Sequence, residues 1–128
     1  MTQINQFTRF CLVGGSGFVI DALLFFTLVH GAQTPWLSAR ILAFVGAVAV
    51  TWAGNRRFTF ESQAGPAAES ARYLLTQSGG CGVNYLSFVI AVQLLGSGGF
   101  LILPYLLGTA AGLSFNYALS RAWVFRPA

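Results

Sequence analysis

Residues 10–29 read FCLVGGSGFVIDALLFFTLV and carry one charged side chain, that of Asp21. Twenty residues of α-helix, rising about 1.5 Å each, cross the roughly 30 Å hydrocarbon core of a bilayer. The stretch therefore predicts a membrane-spanning helix. A cleaved signal peptide is the alternative, but the length, the charge in the middle and a similar segment later in the chain favour a retained span.

Three further apolar segments follow, each long enough to span a bilayer. They cover residues 36–54, 73–95 and 100–119. None shows the strict alternation of apolar and polar residues that is typical of a membrane β-strand. The predicted fold class is therefore all-α, a polytopic membrane protein with four transmembrane helices in a single transmembrane domain over residues 1–128.

The composition excludes the common soluble classes. Of the 128 residues, 55% are hydrophobic and 8% are charged, and the mean hydropathy is +0.68. Soluble domains carry about 25% charged residues, and so few charges cannot cover the surface of a small soluble fold. An ordinary soluble enzyme, a disordered tail and a coiled coil are excluded. The net charge of +4 is small and scattered, so we expect no nucleic-acid partner.

Catalytic and cofactor motifs are absent from the sequence. One histidine and three acidic residues provide no paired nucleophile and base. There is no phosphate-binding glycine loop, no dinucleotide fingerprint and no cluster of metal ligands. Cys11 and Cys81 lie in apolar segments and form neither a disulfide framework nor a metal-ligand set. We expect a protein that is not an enzyme and takes no cofactor and no metal.

The arginines predict how the chain lies in the membrane. If four spans alternate in direction, six of the seven arginines fall on one side, and cytoplasmic loops are enriched in arginine and lysine. These six are Arg9, Arg56, Arg57, Arg72, Arg121 and Arg126. We therefore expect both termini, and a loop over residues 55–72, in the cytoplasm. Glu61 and Glu69 are expected to be solvated charges of that loop.

The two halves of the sequence repeat each other. Spans 1 and 3 align with an offset of 63 residues, which matches Arg9 with Arg72 and Asp21 with Asn84. Spans 2 and 4 align with an offset of 65 residues. Both end in a small polar residue, an arginine, any residue, an aromatic residue, a β-branched residue and phenylalanine. We predict a parallel tandem duplication of a two-helix unit, with repeats at about residues 7–60 and 70–126.

Small residues spaced by four predict the faces on which the helices pack. Such residues share one side of a helix, and they let backbones approach closely where lipid provides little hydrophobic drive. The predicted packing residues are Gly17, Gly80, Ala43, Ala47, Gly108 and Gly112. One face would serve within the chain and another between chains, which predicts a parallel homodimer or a higher homo-oligomer.

Polar residues within the spans are candidate functional residues. Asp21 is the costliest, because an ionisable group inside a membrane is rare and often lines a pathway. Arg40, near the same end of span 2, is its expected partner. We predict a polar intramembrane path formed by Asp21, Arg40, Asn84 and Asn116. The alternative is that these residues only hold the helices together.

Arg56 and Arg121 occupy equivalent places where spans 2 and 4 meet the cytoplasm. Anchoring by the positive-inside rule is the simpler interpretation. The sharper hypothesis is a lipid-phosphate site, because the planar guanidinium fork fits a phosphate and a lipid phosphate lies at this depth. Repetition of the motif favours this hypothesis, and Arg57 is a third candidate ligand.

From Phe10 to Phe125 the sequence resembles the GtrA-like family of small four-span membrane proteins. The resemblance rests on Arg9-Phe10 with Gly14, Gly15 and Gly17, on Asp21, on Asn55-Arg56-Arg57-Phe58-Thr59-Phe60, on Arg72-Tyr73, and on Asn116 with Arg121-Ala122-Trp123-Val124-Phe125. Ser120 departs from the family's Asn-Arg pair, which Asn55 keeps in the first repeat.

The resemblance implies that the protein translocates polyprenyl-phosphate-linked monosaccharide across the cytoplasmic membrane for cell-surface polysaccharide synthesis. It leaves open a non-transporting membrane subunit that anchors or positions a polyprenyl-phosphate glycosyltransferase. A small multidrug-type exporter, with Asp21 as a proton-coupled carboxylate, is a third and weaker option. The expected partners are the lipid-linked sugar, membrane lipids and a glycosyltransferase.

Overall fold

A computed structural model describes residues 2–96 and 102–126. Within these residues the chain forms four α-helices and no β-strand. The helices are α1 (Gln3–Phe26), α2 (Trp36–Gly54), α3 (Pro66–Leu95) and α4 (Ile102–Leu119). Three π-helical turns directly continue α1, α2 and α4, and they are named π1 (Thr27–Gly31), π2 (Asn55–Thr59) and π3 (Ser120–Val124). The predicted all-α fold class is confirmed.

The helices present an apolar surface that suits lipid. Among the described residues, three stretches are long and apolar enough to cross a membrane, and they are Gln3–Gly31, Leu37–Thr59 and Pro66–Leu95. α4 adds an apolar helix of 18 residues. Leu12, Phe18 and Leu94 are 70%, 69% and 80% exposed, a pattern that a water-soluble fold avoids. The chain is a multi-pass membrane protein.

The predicted spans agree with the helices at several ends. α2 has the predicted bounds, and α3 and α4 end at Leu95 and Leu119 as predicted. The predicted end of span 1 falls inside π1. The predicted start of span 4 at Phe100, and most of the turn before it, lie outside the described residues.

The predicted loop over residues 55–72 is wrong. π2 continues α2 to Thr59, and α3 begins at Pro66, so only residues 60–65 lie outside helical structure here. Gly65 takes the N-cap position and Pro66 opens the helix. Proline suits this position, because its fixed φ is helical and its missing N–H would have no partner there. The apolar segment that predicts this helix begins at residue 73, seven residues after Pro66, so hydropathy misses the polar start of the helix.

Glu69 is buried, which contradicts its prediction as a solvated charge. It is 1% exposed and lies in the first turn of α3, where the helix dipole stabilises a carboxylate. Tyr73, Thr76 and Gly80 are buried on the same stripe of α3. Glu61, by contrast, is exposed in the short loop.

Contacts divide the chain into two compact units, one ending at Ala64 and the other running over Gly65–Arg126. α1 packs on α2 in the first unit, and α3 packs on α4 in the second. Gly17 faces Thr51 in the first unit, and Gly80 faces Asn116 in the second. These two contacts are related by the offsets of 63 and 65 residues seen in the sequence. They support the predicted repeat, whose bounds and parallel orientation remain predictions.

Candidate functional site

π2 forms the end of α2 and carries two of the predicted phosphate ligands. Its closing hydrogen bond runs from the N–H of Phe60 to the carbonyl of Asn55 at 2.8 Å. The hydroxyl of Thr59 donates to Asn55 Oδ1 at 2.8 Å, and both of these side chains are buried. Asn55 therefore fixes the turn through both its backbone and its side chain, with Arg56 half-buried and Arg57 exposed.

π3 repeats this turn in the second unit. The N–H of Phe125 donates to the carbonyl of Ser120 at 2.8 Å. Ser120 and Val124 are buried, like the residues at the equivalent positions of π2. π-Helical turns are rare and frequently occur at functional sites. The two turns hold Arg56 and Arg121 at equivalent points in their units.

Arg56 is held by its own unit. Its Nη2 donates to the carbonyl of Ala64 at 2.6 Å. Its guanidinium carbon lies 5.9 Å from the centroid of the Trp52 ring, within cation–π distance. Arg57 is exposed and lies 5.8 Å from the Phe58 ring. Contacts to the chain therefore orient both guanidinium groups at the end of α2.

Arg121 is exposed, and no hydrogen bond or ion pair joins its side chain to any residue within the described ranges. An exposed guanidinium fork with no protein partner can bind a phosphate through two parallel hydrogen bonds. Among the three predicted phosphate ligands, Arg121 is therefore the most available.

Two more arginines contact the same turns, and the sequence did not predict them as phosphate ligands. Arg9 Nη1 donates to the carbonyl of Phe58 at 2.8 Å and lies 3.8 Å from Glu61 Oε1. Arg72 lies 5.9 Å from the Trp123 ring. Phe58 and Trp123 are equivalent residues of the repeated motif. The matching of Arg9 with Arg72 was visible in the sequence, but spacing alone cannot show that the start of one helix meets the end of the next.

The structure brings Asp21 and Arg40 together within the first unit. Arg40 Nη1 donates to Asp21 Oδ2 at 2.6 Å, and the side chains of Asp21 and Arg40 are 16% and 56% exposed. The Arg40 guanidinium also lies 5.9 Å from the Phe25 ring. Asp21 Oδ1 is buried and has no hydrogen-bond partner within the described residues. The pair is thus anchored by one carboxylate oxygen, which leaves the other available as an acceptor.

Asn84 and Asn116 lie between the two helices of the second unit. Asn116 Nδ2 donates to Gln77 Oε1 at 2.9 Å, and its Oδ1 is buried with no partner among the described residues. A Cβ added to Gly108 would come within 2.7 Å of the Asn84 carbonyl oxygen. Two of the four predicted path residues thus lie in each unit, and a single path through all of them remains a prediction.

The predicted packing glycines and alanines lie within the units. A Cβ added to Gly112 would come within 2.9 Å of the Gly80 carbonyl oxygen. In the first unit, Ala43 and Ala47 are buried, and the Ala47 carbonyl is 3.9 Å from where a Cβ of Gly17 would be. These small residues therefore set the close approach of the helices inside each unit.

Comparison with known proteins agrees with this architecture. The sequence matches the family described as GtrA/DPMS, transmembrane domain, over residues 9–125, from α1 to the end of π3. It is also similar to the uncharacterized membrane protein YngA of Bacillus subtilis (strain 168), with 27% identity over 124 residues. That alignment covers 96% of this chain and 81% of YngA. With a match over almost its whole length, the chain belongs to the GtrA/DPMS transmembrane-domain family.

Proposed function

We propose that the protein translocates polyprenyl-phosphate-linked monosaccharide across the cytoplasmic membrane for the synthesis or modification of cell-surface polysaccharide. Membership of the GtrA/DPMS family supports a role in polysaccharide synthesis. In this proposal the protein is not an enzyme, because it moves the lipid-linked sugar without changing a covalent bond, and it takes no cofactor.

The observation that carries the proposal is the equivalence of π2 and π3. Each turn presents an arginine of the repeated motif, and Arg121 has no partner in the described part of the chain. The Trp52 ring lies near Arg56, the Phe58 ring near Arg57 and the Trp123 ring near Arg72. Aromatic rings of this kind suit the membrane–water interface. Arg56 and Arg121, with Arg57 beside them, would bind the lipid phosphate at this depth.

The sugar needs polar groups along its route through the membrane. Arg40 is half-exposed beside the buried Asp21 Oδ1, which has no partner among the described residues, so the Arg40 guanidinium can donate hydrogen bonds to sugar hydroxyls. Asn84 and Asn116 supply amide groups in the second unit. Arg40 and Arg56 are 16 residues apart on continuous helical structure, or roughly 24 Å, so the headgroup would reach the Asp21 pair after it leaves the phosphate site.

The proposed setting is the cytoplasmic membrane, with both termini and the arginine-bearing turns on the cytoplasmic side. The positive-inside rule supports this orientation. Four short helices cannot easily enclose both a sugar and its lipid chain. We therefore include a parallel homodimer, or a higher homo-oligomer, in the proposal.

Translocation in proteoliposomes tests the proposal. A fluorescent polyprenyl-phosphate-linked sugar is placed in both leaflets, and a membrane-impermeant reagent reports the fraction that reaches the outer leaflet. The wild type should accelerate exchange over protein-free vesicles, and the double variant Arg56→Ala, Arg121→Ala should not. Arg126→Ala, which also removes an exposed arginine, is the matched control and should exchange at the wild-type rate. Full exchange by the double variant would contradict the phosphate site.

A second candidate function is a membrane subunit that anchors or positions a glycosyltransferase without transport. The side-chain pairs Asp21–Arg40 and Gln77–Asn116 favour it, because purely structural polar residues also pair within a helix bundle. In this case the wild type would not accelerate exchange, but it would co-purify with a polyprenyl-phosphate glycosyltransferase from the same membrane.

A further inference from the structure

Three buried side-chain oxygens of the second unit have no hydrogen-bond partner among the described residues. They are Thr76 Oγ1, Asn116 Oδ1 and Ser120 Oγ. Thr76 and Ser120 are 1% and 0% exposed. An unpartnered polar atom is costly in any protein interior, and more so in a membrane, where water cannot reach it. Three such oxygens in one helix pair point to a ligand.

The register of α3 against α4 places Thr76 and Ser120 at one level of the interface, one turn from Asn116. Gly80 faces Asn116, and a pair of rings, Tyr73 and Phe125, meets further along with centroids 5.7 Å apart. Thr76 lies one turn before Gly80, and Ser120 lies one turn after Asn116. Because the helices run antiparallel, these steps lead in the same direction along the interface. We call the three residues Thr76, Asn116 and Ser120 the oxygen cluster.

The cluster offers oxygen atoms rather than nitrogen atoms. Hydroxyls elsewhere in the helices donate to a carbonyl one turn earlier, as Thr51 does to Ala47 and Ser78 does to Leu74, each at 2.9 Å. The hydroxyls of Thr76 and Ser120 do not. The amide nitrogen of Asn116 is already bound to Gln77. The lone pairs of three neutral oxygens are thus left for a ligand.

Among the described residues of the second unit, Glu69 is the one buried charge, and its carboxylate favours a cation. Glu69 is buried on the same stripe of α3, seven residues before Thr76, or roughly 10 Å along the helix. The nearby arginines, Arg72 and Arg121, are exposed and so more strongly screened. Hard cations take oxygen ligands, and uncharged oxygens suffice for a monovalent ion.

We propose that Thr76, Asn116 and Ser120 bind a sodium ion between α3 and α4. The proposal goes beyond the translocation proposed above, because it assigns a separate ligand to the second unit and does not depend on the identity of the substrate. The sequence carries no ATP-binding motif. A sodium site would link the protein to an ion gradient instead.

The first unit provides an internal control, because its equivalent positions offer no such cluster. Val13 stands in place of Thr76 and has no oxygen in its side chain. Thr51 stands in place of Asn116, and its hydroxyl donates to its own helix. Asn55 stands in place of Ser120, and its Oδ1 accepts from Thr59. The proposed site therefore belongs to the second unit alone.

Thermal unfolding of the purified full chain in detergent tests the site. The melting temperature is measured in sodium chloride and in choline chloride at equal ionic strength. Because a ligand stabilises the state that binds it, sodium should raise the wild-type melting temperature by about 3 °C or more, in a saturable manner. Thr76→Val with Ser120→Ala should abolish the difference between the two salts.

Matched variants separate loss of the site from loss of the fold. Thr76→Ser keeps the oxygen and should keep the sodium effect, and Thr51→Val alters the equivalent seam of the first unit and should also keep it. If the double variant does not fold, equilibrium binding of radioactive sodium to the wild type still decides, with about one ion per chain expected. Equal wild-type melting temperatures in the two salts, or no bound sodium, would overturn the proposal and leave buried water as the partner of these oxygens.

Discussion

Gly80 lies so close to Asn116 that the amide of Asn116 occupies the place where a Cβ of residue 80 would be. Gly17 stands in the same relation to the side chain of Thr51 in the first unit. In both units a glycine of the odd-numbered helix thus admits a polar side chain of the even-numbered one. This contact sets the helix separation and places the polar residues inside the pair.

The first prediction tests that contact. Gly80→Ala should destabilise the protein by about 1–3 kcal/mol, because the added methyl forces the Asn116 amide to move in a close-packed seam. Gly82→Ala is the matched control, since Gly82 is exposed on the same helix with no atom within 4 Å of an added Cβ. It should be neutral or stabilising by about 0.5–1 kcal/mol, because alanine favours helix over glycine. Equilibrium unfolding in mixed micelles measures both, and equal effects would contradict the close contact.

The second prediction concerns the ion pair of Asp21 and Arg40. If Asp21 serves transport, Asp21→Asn should bind the lipid-linked sugar normally but translocate it at least about tenfold more slowly, and Arg40→Gln added to it should not restore transport. If the pair only holds the helices, Asp21→Asn should lose stability and the double variant should recover it. Translocation rates and unfolding free energies of the same three proteins distinguish the two roles.

The third prediction concerns orientation. A reporter that is active only in the cytoplasm should be active when fused after Ala128, because six arginines lie on the predicted cytoplasmic side. The same reporter inserted after Gln33, between α1 and α2, should be inactive. The reverse pattern would move π2 and π3 to the outer surface, and the proposed phosphate site with them.

The sequence predicted the helices best where apolar residues and helical residues coincide. α2 is predominantly apolar over its whole length, so its composition gives both of its bounds. α3 begins with a polar turn opened by Pro66, and hydropathy therefore misses its first seven residues. Glu69 was misplaced for the same reason, since a charge in a presumed loop is expected in water, whereas a charge in a helical first turn can be buried.

The candidate site was predicted in part. Repetition identified Arg56 and Arg121 as equivalent residues, but it could not reveal that one is bound to Ala64 while the other has no partner in the described structure. The contacts of Arg9 and Arg72 with the two turns depend on how each helix start packs against the following helix end. Such tertiary pairings leave no trace in the spacing along a single sequence.

The central claim is that arginines of the repeated turns bind the phosphate of a lipid-linked sugar, and direct binding tests it most closely. The dissociation constant for a polyprenyl-phosphate-linked sugar is measured for the purified wild type, for Arg121→Lys and for Arg126→Lys. Lysine keeps the charge but loses the planar fork. We predict that Arg121→Lys weakens binding by roughly tenfold, an effect of about 1.4 kcal/mol, while Arg126→Lys binds like the wild type. Equal affinities for all three proteins would contradict the claim and leave these arginines as determinants of orientation in the membrane.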